Sequence, residues 1–227
     1  MKREQIPETQ HRLGRHIWHD PRSRQYPAEV APLVTTVHSR HCPPFDQGNL
    51  GSCTGNAMAG LLMTDPFWRS GRALTEADAV ALYSDATKID RYAGVYPPTD
   101  TGSSGLAVAK AAKKRGYCTG YRHAFGLQHA LGALVIAPVI IGINWYDSFD
   151  APDREGLISI SPNAGVRGGH ELVTRAIDVT NHLVGGDQSW GPRWGAPGPQ
   201  RFGGWYQMTW DTFLRLLHEG GDVTTVS

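Results

Sequence analysis

A cysteine follows a glycine-rich turn at the point where a helix is predicted to begin. The segment reads Gln47-Gly-Asn-Leu-Gly-Ser-Cys53-Thr-Gly-Asn-Ala, and the apolar side chains after Cys53 recur at helical spacing. The unpaired N–H groups and the dipole of a helix N-terminus stabilise negative charge, so a thiol placed there has a lowered pKa. We therefore predict that Cys53 is a nucleophile with a lowered pKa.

Two further side chains could assist a thiol nucleophile. The amide of Gln47, six residues before Cys53, can donate a hydrogen bond to an oxyanion, and the backbone N–H of Cys53 can donate a second. His170 opens a predicted strand directly after Gly168 and Gly169, and these glycines leave room for a close approach. Reactive cysteine and histidine residues are usually distant in sequence, so the fold has to bring His170 to Cys53.

The elements that must position these residues are predicted as helices in the first half of the chain and strands in the second. A capping box at Thr75 and Asp78 begins one helix, and Ser103 or Ser104 caps another. This order indicates an α+β chain with a helical lobe and a sheet lobe, and a cleft between lobes is a natural place for a site. Helices are predicted at 53–63, 75–88, 106–115 and 211–218, and strands at 33–37, 135–146, 157–161, 171–178, 182–186 and 205–210.

Composition excludes several classes of protein. The 227 residues include 22 Lys and Arg against 21 Asp and Glu, which gives a net charge of +1. The chain therefore lacks the excess of positive charge that indicates binding to nucleic acid or to an anionic membrane. The chain has no apolar run long enough to cross a membrane, and its polar N-terminus lacks the apolar core of a secretory signal. The three cysteines do not form a disulfide scaffold, and we expect Cys42 and Cys118 to be structural.

No metal or cofactor is expected. Metal binding needs three or four converging ligands at a recognisable spacing, and neither of the two groups of nearby histidines has that spacing. The tryptophans of the C-terminal half are predicted to form core and cleft wall rather than a carbohydrate-binding stripe. The histidine groups are His11, His16 and His19, and His38 and His41 with Cys42, and the tryptophans are Trp190, Trp194, Trp205 and Trp210.

Taken in order, these motifs resemble the papain family of cysteine peptidases. The resemblance consists of Gln47 with Gly51-Ser52-Cys53, then Gly169-His170, then Gln188-Ser-Trp-Gly-Pro-Arg-Trp-Gly195, and it spans most of the chain. Asp100-Thr-Gly-Ser-Ser-Gly and Pro138-Val-Ile-Ile-Gly-Ile-Asn are similar to bacterial and phage-type members. The resemblance implies a cytoplasmic or phage-associated protein that acts on a peptide or protein substrate, with no nucleic acid or membrane as partner.

The fold implied by the resemblance is α+β and two-lobed. An N-terminal helical lobe and a C-terminal antiparallel β lobe would enclose the active site in the cleft between them. Residues 1–40 would form an N-terminal arm that packs on the domain, and residues 41–227 would form the catalytic domain.

The resemblance also implies roles for single residues. Cys53 and His170 would form a thiolate–imidazolium pair, in which Cys53 attacks a peptide carbonyl and His170 protonates the leaving amine. Gln47 would hold the oxyanion, and Gln188 would orient His170. Trp190 would shield the hydrogen bond between Gln188 and His170. The predicted substrate-binding residues are Gly102, Ser103, Gly169 and Trp190.

The chain departs from the family pattern at several positions, and other functions stay open. Gln188 stands where the family usually has Asn, Thr54 where a Trp commonly follows the nucleophile, and Leu50 where a disulfide-forming Cys often lies. We expect no long inhibitory propeptide before Cys53. The alternatives are a peptidoglycan-directed amide hydrolase, a transpeptidase, or a catalytically impaired protein that binds peptides or builds a larger assembly.

Overall fold

The computed structural model describes residues 11–227, which form five α-helices and seven strands. Residues 1–10 of the predicted arm lie outside the described residues. The helices are α1 (Cys53–Leu62), α2 (Glu76–Thr87), α3 (Gly105–Lys114), α4 (Leu127–Ile136) and α5 (Trp210–His218). The strands are β1 (Thr36–Val37), β2 (Tyr121–Ala124), β3 (Val139–Tyr146), β4 (Val166–Asp178), β5 (Leu183–Asp187), β6 (Trp205–Thr209) and β7 (Asp222–Val226).

Helices α1, α2 and α3 begin where their local sequence provides a start. The side chain of Thr75 accepts a hydrogen bond from the backbone of Asp78, and the carboxylate of Asp78 accepts one in return, so the capping box is confirmed. Ser104 accepts a hydrogen bond from Ala107 N at the start of α3. Every residue of α1 is buried, because α2, α3 and the sheet surround this helix.

The strands form one antiparallel sheet in the order β2-β7-β3-β4-β5-β6, with β1 paired to β4. The C-terminal β7 therefore lies inside the sheet, between β2 and β3. The long strand β4 pairs with β3 along its first part, where Ile143 faces His170, and with β5 along its last part. This register fixes the position of His170 near the centre of the sheet.

Two apolar cores lie on either side of this arrangement. One joins α1, α2 and α3 to Ile140 and Val173 of the sheet. The other packs α4 and α5 against the sheet around Trp145 and Tyr206. A helical half and an antiparallel β half confirm the predicted α+β architecture with two lobes.

Three of the predicted strands differ in the structure, and three observed elements were not predicted. Residues 135–138 are not strand, because α4 runs to Ile136 and β3 begins only at Val139. The segment 157–161 forms only an isolated bridge from Leu157 to Gln207, and the predicted strand at 33–37 shrinks to the two residues of β1. Helix α4, β2 and β7 were not predicted, because α4 has hardly any polar face and the two strands are short.

Candidate functional site

Cys53 is the first residue of α1, as predicted. The side chain of Ser52 makes no capping hydrogen bond, so it leaves the N–H groups of the first helical turn unoccupied. The side chain of Cys53 is fully buried, and backbone hydrogen bonds from Glu171, Gly14 and Thr54 stabilise its thiolate form. The hydrogen bond from Glu171 places the thiol beside the residue that follows His170.

His170 is fully buried on β4 and is held by Gln188. Its Nε2 donates to Gln188 Oε1 at 3.0 Å, so the other ring nitrogen, Nδ1, carries the lone pair of the neutral imidazole. Nδ1 is buried and has no hydrogen-bond partner among residues 11–227. The rings of Trp145 and Trp190 lie 4.9 and 5.3 Å from the imidazole and keep water from it.

Gln47 and Gln188 lie on two loops that are tied together. Ser189 donates to the Gln47 side-chain oxygen at 2.6 Å, and the backbone N–H of Gln47 donates to Ser189 O at 2.9 Å. Asp46 and Trp190 form a bridge beside this pair. Because both loops are fixed to each other, the amide of Gln47 and the oxygen of Gln188 have defined positions on either side of the site.

Asp100 holds the turn that leads into Cys53. Its carboxylate accepts hydrogen bonds from Gly51 N at 2.9 Å and from the hydroxyl of Tyr83 at 2.5 Å. The same hydroxyl accepts from Gly102 N at 2.9 Å. The turn before α1 and the segment before α3 are therefore joined through two side chains that were not predicted as site residues.

Residues 11–16, which we call the cleft segment, run between the start of β4 and the start of α3. Ser103 N donates to Gly14 O at 2.8 Å, and His16 N donates to Ser103 O at 2.7 Å. On the other side, Arg15 N donates to Gly169 O at 2.9 Å. The predicted substrate-binding backbone thus pairs with a segment of the same chain.

The cleft segment also contacts the predicted catalytic groups. The carbonyl oxygen of Arg12 accepts from Gln47 Nε2 at 2.7 Å, so the predicted oxyanion donor is engaged by a backbone carbonyl. The ring of His11 stacks on Trp190 with ring centroids 4.9 Å apart. The backbone of Gly14 hydrogen-bonds the thiol of Cys53. The segment therefore covers the site from Trp190 to the nucleophile.

Three glycines allow the cleft segment to lie this close. A Cβ atom at Gly14 would overlap the carbonyl of Gly51, and one at Gly102 would overlap the carbonyl of Gly14. A Cβ atom at Gly169 would overlap the carbonyl of Arg15. Backbone therefore packs directly on backbone along the whole segment.

Burial reverses the predicted lowering of the thiol pKa. Desolvation, followed by the charge of Glu171, raises the pKa of Cys53 to about 12, and the three backbone hydrogen bonds offset only part of this. Desolvation also lowers the pKa of His170 to about 4, despite its hydrogen bond to Gln188. The expectation of a lowered thiol pKa is wrong for the covered site, in which thiol and imidazole are both neutral.

Most of the predicted site residues contact the cleft segment. Gln47 contacts Arg12 and Cys53 contacts Gly14, and the predicted substrate-binding residues contact the backbone of the segment or, for Trp190, His11. Sequence reasoning missed Arg15, whose side chain is buried, and Arg12, whose exposed side chain pairs with Asp100. Asp100 and Tyr83, which join the turn before α1 to the segment before α3, were missed too. It also missed Glu171, which is one of several charged residues of β4 and is not singled out by its local sequence.

Other groups of polar residues do not converge. Among residues 11–227, no three His, Cys, Asp or Glu side chains are arranged to hold a metal ion. Cys42 and Cys118 are free thiols away from Cys53. No helix within this described range is long and apolar enough to span a membrane.

Comparison with known proteins gives a result at the level of the fold. No protein-family model and no curated protein sequence matches the chain. Solved structures of papain-like cysteine proteases do match it. Xylellain, a cysteine protease from Xylella fastidiosa, has a TM-score of 0.71 and 18% identity, with 98% of this chain and 99% of xylellain covered.

Two other structures extend this likeness. Digestive procathepsin L 3 of the Tenebrio molitor larval midgut has a TM-score of 0.62 and 15% identity, over 97% of this chain and 74% of that chain. The Carica candamarcensis cysteine protease CMS1MS2, solved with E-64, has a TM-score of 0.56 and 16% identity, over 82% of this chain and 92% of its own. The chain therefore has the papain-like cysteine protease fold.

Proposed function

We propose that this chain is a cysteine peptidase whose nucleophile is Cys53 and whose general base is His170. One observation carries the proposal. Gln188 holds Nε2 of the buried His170 imidazole, whose Nδ1 has no partner among the described residues, and the backbone of the next residue, Glu171, lies at the Cys53 thiol. The papain-like fold supports it. Residues 41–227 form the catalytic domain in this proposal, and residues 1–40 form the arm.

Catalysis begins when the cleft segment leaves the site. Water then reaches Cys53 and His170, which relieves the desolvation that keeps both groups neutral. The thiol proton passes to Nδ1 of His170, because Gln188 holds Nε2 as a donor and leaves Nδ1 free to accept. The helix N-terminus of α1 stabilises the resulting thiolate.

The remaining steps are those of acyl transfer. The thiolate attacks the substrate carbonyl, and the oxyanion accepts hydrogen bonds from Gln47 Nε2 and the Cys53 N–H. His170 gives its proton to the leaving amine, which departs and leaves a thioester on Cys53. His170 then takes a proton from water, which attacks the thioester and releases the acid.

The substrate backbone replaces the cleft segment. Ser103 and Gly169 offer the backbone groups that now pair with residues 14–16, and Gly102 leaves space for the approach. Trp190 covers the Gln188–His170 hydrogen bond from solvent. The chain as described is therefore a latent form, in which its own N-terminal segment occupies the substrate site.

The test uses an opened form of the full chain, because the covered form excludes substrate. In a Gly14→Ala background, release of peptides from casein should fall at least about 10³-fold with Cys53→Ala or with His170→Ala. Cys42→Ala is the matched control, since that thiol is free and lies outside the site, and it should retain activity. Mass spectrometry should detect the acyl-enzyme on Cys53.

Other outcomes discriminate among the alternatives. Transfer of the acyl group to an added amine in preference to water would indicate a transpeptidase. Cleavage of peptidoglycan stem peptides without cleavage of casein would indicate a peptidoglycan-directed hydrolase. Binding of peptides with no turnover of any of them would contradict the proposal and favour a binding or structural protein.

A further inference from the structure

The side chain of Arg15 fills a closed pocket beneath the cleft segment. Its guanidinium forms an ion pair with Asp222, and it donates to Gly220 O at 2.7 Å. The side chain is only 1% exposed. Burial lowers the pKa of Arg15, but the charges of Asp222 and Glu171 more than offset this effect, so the pKa is raised and the group stays charged.

Two carboxylates from distant parts of the chain build this pocket. Glu171 comes from β4 and Asp222 from the start of β7, and Glu171 is fully buried. Neither oxygen of Glu171 has a hydrogen-bond partner among the described residues. Burial and the charge of Asp222 raise the pKa of Glu171 well above its ordinary value, and the charge of Arg15 opposes this shift. The Arg15 cation therefore stabilises two acidic groups that lie side by side.

Two glycines make the space for this group of charges. A Cβ atom at Gly142 would come within 2.5 Å of Arg15 Nε, 2.8 Å of Asp222 Oδ2 and 2.9 Å of Glu171 Oε2. A Cβ atom at Gly105 would come within 2.8 Å of one oxygen of each carboxylate. Any side chain at either position would close the pocket, so both glycines are needed for a cation to enter.

The pocket empties whenever the cleft segment leaves. Arg15 is attached to that segment through the backbone that pairs with Ser103 and Gly169, so its guanidinium departs together with the backbone. Glu171 and Asp222 then have no cation. A bound peptide that pairs with the same backbone would place a side chain over the same opening.

From this geometry we propose that the pocket of Glu171 and Asp222 selects peptide substrates with an arginine side chain, which replaces that of Arg15. The inference deepens the proposed peptidase function and rests on it. Arg15 is one residue removed from Gly14, whose backbone lies at the nucleophile. A peptide that runs opposite to the cleft segment places its second residue before the scissile bond at this position, and we assign the selected residue there. Arginine is favoured over lysine because its planar guanidinium can donate to Asp222 and to Gly220 O together, as that of Arg15 does.

Binding is measured first, because it does not require activity. In the full chain carrying Gly14→Ala, Cys53→Ala and Arg15→Ala, N-acetyl-arginine amide should bind about 10- to 100-fold more tightly than N-acetyl-citrulline amide, as expected for charge-assisted hydrogen bonds. Citrulline has the same shape without the charge. Adding Asp222→Asn should remove the preference. If Arg15→Ala does not fold, Arg15→Gln serves in its place.

Hydrolysis is then measured in the opened Gly14→Ala background with Cys53 restored. Acetyl dipeptide aminomethylcoumarin amides carry Arg, Lys, citrulline or Leu at the second residue and Ala at the first. A kcat/KM that is highest for Arg supports the inference, and equal values for Arg and citrulline overturn it while leaving the peptidase function intact. Preferential binding of the arginine amide without hydrolysis of any peptide supports the pocket and contradicts the peptidase function.

Discussion

Gln188 is the residue at which the site departs most clearly from the pattern of its fold. The side chain is one methylene longer than that of Asn, yet its oxygen lies 3.0 Å from Nε2 of His170. Its backbone N–H donates to Gly204 O at 3.1 Å, which fixes the start of the loop. The extra length is therefore accommodated by the position of the loop rather than by displacement of the imidazole.

We expect Gln188→Ala to reduce kcat/KM about 10- to 100-fold, because a buried N–H of His170 loses its acceptor. The measurement is peptide hydrolysis in the opened Gly14→Ala background. Gln200→Ala is a control glutamine substitution outside the site. Unchanged activity of Gln188→Ala would show that another group orients His170.

At the residue scale, local motifs identified the predicted catalytic groups but not their surroundings. Cys53 and Gln47 lie within one short segment with a recognisable sequence, and His170 follows a glycine pair. The Arg15–Asp222 ion pair joins positions 207 residues apart, and nothing local in either segment indicates the other. Glu171 is one of several charged residues of β4, so its local sequence provided no signal.

Among the elements, the cleft segment depends on the absence of a side chain at Gly14. We expect Gly14→Ala to push the segment out of the cleft, since the added methyl group would overlap the carbonyl of Gly51. Iodoacetamide should then alkylate Cys53 at least about tenfold faster at neutral pH, because solvation lowers the thiol pKa. The label is located by mass spectrometry of the Cys53 peptide.

Gly165→Ala is the matched control for this experiment. The nearest atom to a Cβ at Gly165 is Asp147 Oδ2 at 3.7 Å, an ordinary contact, so the substitution should leave the alkylation rate unchanged. Equal rates for wild type and Gly14→Ala would mean that the segment does not limit access to Cys53. The proposal of a latent form would then be wrong.

A second element-scale feature is the buried charge group that joins β4 and β5. Arg175 Nε donates to Asp187 Oδ2 at 2.5 Å, and Arg40 Nη1 approaches the same oxygen at 3.5 Å. All three side chains are at most 2% exposed. One carboxylate therefore balances two buried guanidinium groups.

We expect Asp187→Ala to lower the free energy of unfolding by about 3 to 5 kcal/mol, because it leaves buried cations without a counter-charge. Urea unfolding monitored by tryptophan fluorescence measures the change. Glu155→Ala is the control, since the side chain of Glu155 is 65% exposed and its ion pair with Arg154 is solvated. A loss no larger than that of the control would show that the guanidinium groups find other partners.

The elements also show how much of the secondary structure can be predicted from sequence patterns. Helices α2 and α3 were predicted within a residue at each end because their caps are encoded locally, by Thr75 with Asp78 and by Ser104. Only the last two residues of α4 were taken for strand, and the rest of the helix was not predicted, because the run through Leu134 and Val135 is apolar on nearly every side. In such a run the tertiary surroundings, and not periodicity, decide between helix and strand.

For the whole molecule, the two lobes and the N-terminal segment form one closed unit. The helical half supplies Cys53, Gln47 and Ser103, and the β half supplies His170 and Gln188. The cleft segment forms hydrogen bonds to both halves, through Ser103 on one side and Gly169 on the other. Opening the site therefore breaks contacts in both lobes at once, so the stability of the closed form depends on the groups that form the site.

His170 makes that coupling dependent on pH. Burial lowers its pKa from 6.5 to about 4, with Gln188 opposing the shift and the nearby Arg167 and His11 adding to it. As the pH falls below 6.5, the unfolded chain takes up this proton before the folded chain does. The contribution of His170 to stability is therefore complete above pH 6.5, is lost down to about pH 4, and is level below that.

We expect this residue alone to remove about 2 kcal/mol of unfolding free energy between about pH 7 and pH 4.5. Urea unfolding of wild type and His170→Gln at both pH values isolates the contribution of His170 to the unfolding free energy. Glutamine does not titrate, and the other acidic groups are common to both proteins. The wild type should lose more stability than the variant. Equal losses would mean that burial does not lower the pKa of His170 in the closed form, and the expected pH dependence would then be wrong.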